Sequence, residues 1–287
     1  MNDSEETVVR LVQEAKDKPL IRVTAGQLPE IATKAEAAII KAGLPIYRRG
    51  ALLVRPVIEE VDAAQGRKAT VAVLHPLVPI YLCDLLARTV RWERFNIRKN
   101  DWLQTDPPAE VAALILARYG EWSFPPIAGV LSTPTLRPDG TILSKPGYDP
   151  DSRLYLADPP DLPPIPAKPT RDDALAALAD LNDLLEEFPF IDEPARAVAL
   201  SALITPVVRG AFVCAPMHVA RAPVPASGKS YLFDVAAGIV FGQPCPVMAA
   251  GRTEEETEKR LGAALLTGQG IISLDNVSGE LGGDCLC

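Results

Sequence analysis

Residues 221–230 read RAPVPASGKS and lead straight into the apolar run YLFDVAAGI. A glycine followed by a lysine and a hydroxyl can do one kind of chemistry well. The lysine neutralises phosphate, the hydroxyl holds a magnesium ion, and the glycine lets nearby backbone N–H groups converge on an anion. A helix starting there adds the positive end of its dipole. Here Ala226, Ser227, Gly228, Lys229, Ser230 and Tyr231 would form the cradle, with Lys229 as the charge and Ser230 as the magnesium ligand. The glycine that usually opens such a loop is replaced by Pro223, and Pro225 follows. Both prolines remove N–H groups upstream of the cradle and stiffen its entrance. The donors from Ala226 onward remain, so phosphate binding is expected to survive.

Gly-Lys-Ser alone is a weak signal, and a second motif strengthens it. GQGIISLDNVSGEL holds an apolar strand, Ile271–Leu274, that ends in Asp275. A carboxylate at the tip of a parallel strand is where a nucleotide-bound magnesium is held. Lys229 and Asp275 stand 46 positions apart. The interval reads as one helix, a loop and a second helix, RTEEETEKRLGAALLTG, the crossover that parallel strands require. ATP and Mg2+ are therefore the expected cofactors. Asn276 can orient a water but cannot take its proton. Glu280 is either the base or an ordinary surface glutamate. Glu254, Glu255, Glu256 and Glu258 read as a solvated helix face.

The elements that must position these groups are legible upstream. VCAPMHVARA reads as a short strand feeding the loop. Before it stand two helices. TRDDALAALADLNDLLEEFPF is capped by Thr170 or Asp172 and has Leu175, Leu178, Leu181 and Leu185 as its apolar stripe. DEPARAVALSALITPVVRGAF is apolar nearly all round and is expected to be buried. The clearest boundary is DPPDLPPIPAKP at 158–169, where six of the eleven residues from Pro159 to Pro169 are proline. Such a run favours stiff, extended chain. It divides the sequence into 1–157, a mixed α+β accessory region, and 170–287, an α/β core of parallel sheet and helices.

Within 1–157, Ile31, Ala35, Ala38, Ile39 and Ala42 fall at helical spacing and Gly43 ends the run. LPIYRRGALLVRP reads as two strands joined at Arg-Arg-Gly. A strand, a helix and a basic segment follow, the last with Arg88, Arg91, Arg94, Arg98 and Lys99 around Trp92 and Phe95. That mixture suits phosphates and base stacking. It equally suits a solvated helix face with both aromatics in the core. Arg91, Arg94, Arg98 and Lys99 are the candidate nucleic-acid contacts. A short helix ending near Gly120 precedes a hairpin-rich element, with turns expected at 138–140 and 146–150 and with its aspartates shaping those turns.

The net charge of −8 is spread unevenly over the 287 residues. Residues 1–100 hold 16 Lys and Arg against 12 Asp and Glu, and residues 101–287 hold 13 against 25. The front part can meet an acidic partner, while the whole chain is no uniformly basic nucleic-acid binder. Five scattered cysteines and two histidines lack the paired spacing of a zinc site, so reduced, mostly buried thiols are expected. No stretch approaches the roughly 18 apolar residues of a membrane span. The acidic, amphipathic start lacks the pattern of a secretion signal. A cytoplasmic protein is expected.

With APVPASGKSYLFDVAA, RLGAALLTGQGIISLDNVSGELGGD and GVLSTPTLRPDGTILSKPGYDPDSRLYL in hand, the chain resembles the primase–helicase-type ATPases of prophages and mobile elements. The likeness touches IRVTAGQLPEIATKAEAAIIKAGLPIYRRGALLVRP as well, and so spans most of the chain. It implies a helicase-like or AAA+-like P-loop NTPase core that acts on DNA, single-stranded or at a replication fork, with room for a homo-oligomer. Lys229 and Ser230 match the family's phosphate-loop pair and Asp275 its strand-tip carboxylate. The Asp275-Asn276 ending is similar to superfamily 3-like relatives. Such cores continue with a sensor residue and an arginine finger, whereas this chain ends twelve residues after Asp275. An incomplete core, with Ile271–Leu274 near an unpaired edge, is therefore expected.

Three functions remain open on these grounds. The first is an ATPase that couples ATP to DNA remodelling or replication. The second is a non-catalytic DNA-binding or assembly protein with a vestigial P-loop. The third, a P-loop kinase or signalling NTPase, has no acceptor-recognition motif to support it.

Overall fold

The computed structural model describes residues 18–163, 166, 168–224, 227–251, 253–275 and 277. Among these residues the chain is mixed α/β, with seven α-helices and several small parallel and antiparallel sheets. None of those helices is long and apolar enough to cross a membrane. Two compact units result. One holds the described residues up to Arg55 together with His75–Ile127, the other Pro56–Leu74 with the described residues from Ala128 on.

In chain order the first part comprises β1 (Leu20–Val23), α1 (Leu28–Lys41), β2 (Tyr47–Arg49), β3 (Leu52–Asp62), β4 (Lys68–Pro76), α2 (Pro79–Thr89), β5 (Arg91–Asn96), β6 (Asp101–Gln104) and α3 (Ala109–Ala117). The helical spacing in α1 is borne out for Ile31, Ala35, Ala38 and Ile39, all buried, whereas Ala42 is an exposed C-cap, with Gly43 at φ +67 just past it. So is the Arg-Arg-Gly turn, across which Arg49 pairs with Leu52. β5 lies centrally in a three-stranded sheet, parallel to β1 and antiparallel to β6.

The basic segment is therefore a strand and not a helix face. Alternate residues of a strand point to opposite sides. Trp92 enters the core with Ile21, Ile39 and Leu86, and its indole N–H donates to the Leu86 carbonyl at 3.1 Å. Phe95 lies on the other side, 42% exposed, so only one of the two aromatics is a core residue.

The second part continues with β7 (Gly129–Leu131), β8 (Thr135–Leu136), β9 (Ile142–Leu143), β10 (Gly147–Asp149), β11 (Leu154–Leu156), α4 (Arg171–Asp183), α5 (Glu193–Val208), α6 (Lys229–Phe241), β12 (Val247–Ala249), α7 (Glu254–Thr267) and β13 (Ser273–Asp275). The turn at 138–140 joins β8 to β9 as its residues dictate. The turn expected at 146–150 is largely strand instead, since β10 pairs with β11, which lies parallel to β7.

Asp149 explains the difference. Its carboxylate accepts from Arg137 Nε and Nη2 at 3.1 and 2.9 Å, and from the hydroxyl and backbone N–H of Ser152. The Arg137 guanidinium first, then Ser152, hold this carboxyl far below the usual carboxylate range. One acid thus clamps three short strands that have little apolar surface of their own.

The described residues of the proline run at 158–169 group with the second unit. Chain on the two sides of that run is joined directly, with Thr135 Oγ1 donating to the Val207 carbonyl of α5 at 2.6 Å. Thr170, not Asp172, caps α4, in a reciprocal box with Asp173. The expected stripe on α4 is not buried: Leu175 and Leu178 are exposed, while Leu185, past the helix end, packs fully buried against α5. α5 itself is half-buried, because only its Ala199, Ala202 and Leu203 side reaches the core. Of the described thiols, Cys214 is exposed and Cys83 half-buried. Cys245 is buried, and burial pushes its thiol up to about 11.

A carboxyl whose pKa is depressed on folding stabilises fully above its unfolded value, near 4, and that contribution is lost as pH falls toward the folded one. Asp149→Asn should therefore cost about 3 kcal/mol at neutral pH. The gap from wild type should narrow below about pH 4 in urea unfolding curves. A gap that stayed constant with pH would show that the charge is not what clamps the strands.

Candidate functional site

The Gly-Lys-Ser stretch sits where α6 begins. Gly228 is its N-cap, with φ +86 and ψ 3 in the left-handed region that favours glycine. No side chain caps this end, and the first helical bond runs from the Leu232 N–H back to the Gly228 carbonyl. The preceding amides of the first turn have no acceptor within the helix, the condition for receiving an anion. Lys229 folds back over the loop, donating from Nζ to the Val224 carbonyl and to Ser227 Oγ, each at 3.2 Å. Ser230 is half-buried and Tyr231 exposed. Ala226 lies outside the described residues, as do Asn276 and Glu280.

Sequence reasoning missed the aromatic neighbours of this loop. The Tyr231 ring stacks on Phe188 at 6.0 Å between centroids, and Phe188 stacks on Phe190 at 5.9 Å. Phe188 also lies against Gly228, where an added Cβ would meet its ring at 3.6 Å. The signal was present as the EEFPF run, which reads from sequence only as the end of a helix.

The strand expected at VCAPMHVARA is absent: 214–222 has no regular structure, and Val213 is fully exposed. Pro216 removes a ladder donor in its middle, and no described strand pairs with it. Downstream, α6, α7 and β13 follow in the expected order, but β13 covers only Ser273–Asp275, and the interval read as a loop holds a further strand, β12, parallel to β13 with Ala249 opposite Asp275. Asp275 is the last residue of β13 and half-buried. Glu254, Glu255, Glu256 and Glu258 are exposed, the second and third paired with Lys259 and Arg260 one turn on.

Asp234, the one acid in the apolar body of α6, is a second residue that spacing did not single out. Its Oδ2 accepts from Arg67 Nη2 at 2.6 Å and its Oδ1 from the Cys245 backbone N–H at 2.9 Å. Asp234 is nearly buried, whereas Arg67 keeps 39% of its side chain exposed. The partners lie 167 positions apart in one case and 11 in the other. This carboxylate fixes the helix that carries Gly228 and Lys229.

The candidate nucleic-acid residues come together elsewhere, in the first unit. Arg91 and Arg94 lie on β5, and Arg98 and Lys99 in the exposed turn to β6, where the Lys99 N–H donates to Asn96 Oδ1 at 3.0 Å. Arg88 is not part of this group, since it pairs with Asp84 one turn back on α2.

Asp234→Ala leaves the Cys245 N–H and the Arg67 guanidinium without their acceptor and should destabilise by about 2 kcal/mol. Asp234→Asn retains an acceptor for the amide and should recover about half of that. Urea unfolding checks the pair; equal losses in both variants would assign the effect to charge alone.

Comparison of the chain with protein-family models, with curated proteins and with solved structures finds no match.

Proposed function

We propose that the loop ending in Gly228-Lys229-Ser230 binds the phosphates of ATP with Mg2+, and that the chain is a primase–helicase-like ATPase coupling ATP to DNA remodelling or replication. One observation carries this reading: a left-handed glycine opens α6 with its leading amides uncapped and a lysine ammonium folded over the same loop. The residues present suit the ligand. Lys229 would exchange the Val224 carbonyl and the Ser227 hydroxyl for phosphate oxygens, a stronger, charge-assisted pairing. Ser230 and Asp275 would hold the magnesium ion, and the Tyr231–Phe188 pair would offer an apolar face to the base. Magnesium-bound ATP supplies a phosphoryl group whose charge the ion and Lys229 spread. Asn276 would orient water, and Glu280 is the candidate base. Arg91, Arg94, Arg98 and Lys99 would contact DNA phosphates.

Binding of a fluorescent ATP analogue and ATP turnover with and without single-stranded DNA test the reading. Lys229→Ala should weaken nucleotide binding roughly tenfold or more, the worth of a charge-assisted contact. Turnover stimulated by DNA and lost in the variant supports the ATPase. Nucleotide binding without turnover would point to the non-catalytic alternative, and no nucleotide binding at all would remove the proposal.

A further inference from the structure

The sheet β1-β5-β6 has helices against one face and a chemically distinctive second face. The strand register places Leu20 and Arg22 of β1, Arg91, Glu93 and Phe95 of β5, and Trp102 and Gln104 of β6 on that second side. Side-chain contacts agree. Phe95 and Trp102 sit edge to face with centroids 5.5 Å apart. The Arg22 guanidinium lies over the Trp102 ring, 4.6 Å from its centroid, while its Nε donates to Glu93 at 3.3 Å. Arg91 Nε stands 3.8 Å from the same carboxylate, beyond hydrogen-bond reach, and makes no hydrogen bond among the described residues.

Phe95 is exposed and Trp102 half-buried; an apolar ring left open to water is costly unless something covers it, and the charges here say what kind of molecule that is. Glu93 is shared by two arginines. With Arg22 and Arg91 on this face and Arg98 and Lys99 in the β5–β6 turn, four cations surround the aromatic pair against one acid, Glu93. Ile97, in the same turn, is 86% exposed. A protein partner with an apolar face would leave those cations unpaired. A duplex would pair with the cations, but its stacked bases offer no free face to the rings. Single-stranded DNA satisfies both, since its unstacked bases lie on aromatic rings while its phosphates meet arginine and lysine.

We propose that this open sheet face is a single-stranded DNA platform, with Phe95 and Trp102 as stacking surfaces. Arg22 holds the Trp102 ring in place from above, and Arg91, Arg98 and Lys99 receive the phosphates. The platform requires no nucleotide at the Gly-Lys-Ser loop, so it stands or falls independently of the ATPase reading.

The full chain is titrated with an oligothymidylate, without nucleotide, by fluorescence anisotropy and by tryptophan emission. Trp92 and Trp122 are buried, so quenching by a stacked base reports on Trp102. Phe95→Leu keeps apolar bulk without a π face and should weaken binding roughly tenfold, while Phe95→Tyr should bind as wild type. Trp102→Phe should retain most of the affinity and lose the quenching. Arg98→Gln with Lys99→Gln should flatten the salt dependence by about 0.7 in log–log slope for each phosphate left without its cation. Lys229→Ala should change none of these values, and unaltered thermal unfolding of each variant excludes misfolding as the cause. Equal affinity for duplex and single strand, tighter binding of the matching RNA, or a Phe95→Leu variant that binds and quenches like wild type would each overturn the proposal.

Discussion

A single carboxylate in an otherwise apolar helix sets the frame of the second unit. Asp234 receives Arg67 on one oxygen and the Cys245 amide on the other. A nearly buried acid is tolerable only when its lone pairs are filled, and both partners come from outside the helix. α6 therefore cannot slide or rotate without breaking two bonds at once. Lys229 and Gly228 lie within two turns of that anchor, so the geometry of the loop follows from a contact well away from it. The same anchor accounts for residues 56–74 belonging with the C-terminal part of the chain. Arg67 reaches α6, and Ala63, Val71 and Val73 with Val57 and Val61 pack beside Phe241 at its far end.

The neighbouring strands are held by a different device. β7 to β11 are two or three residues long and bury little apolar area, so burial alone gives them slight stability. Arg137 and Asp149 supply what burial does not, a two-pronged ion pair with Ser152 filling the remaining acceptor sites. Close backbone approach helps as well. Gly268 ends α7 at φ +68, and a Cβ there would stand 2.9 Å from Leu74. Only glycine lets the end of α7 come so near that its carbonyl meets the Val130 amide at 3.5 Å.

The two proposed sites are thus kept on two separate scaffolds. The phosphate-type loop depends on a helix start, on fixed amides and on one ammonium. The aromatic sheet face depends on strand alternation, which sends Trp92 inward and Phe95 outward from positions three apart. Each is centred on a regular element, the start of α6 in one case and strands β5 and β6 in the other, which holds the side chains on those elements more precisely than irregular loops would. Neither needs the other in order to form, because each is assembled from residues of its own unit.

Local patterns carried a good part of this. α1 and its closing Gly43, the Arg-Arg-Gly turn, the 138–140 turn, the helix opening at Lys229 and the succession of α6, α7 and β13 were all legible, because capping, turn chemistry and periodicity act within a few residues. The strand expected at 213–222 and the buried stripe on α4 failed, because periodicity shows that a face is apolar without showing that anything lies against it. Phe188 at the loop, Asp234 with Arg67, Asp149 with Arg137 and the Phe95–Trp102–Arg22 cluster had no signature in spacing. The amino-acid sequence by itself determined which segments turn, cap and coil, and where a phosphate cradle could begin. Tertiary structure alone decided which acid anchors the helix and which aromatic of the basic segment faces water. Those outcomes depend on partners as far as 167 positions away, brought together only when the chain is folded.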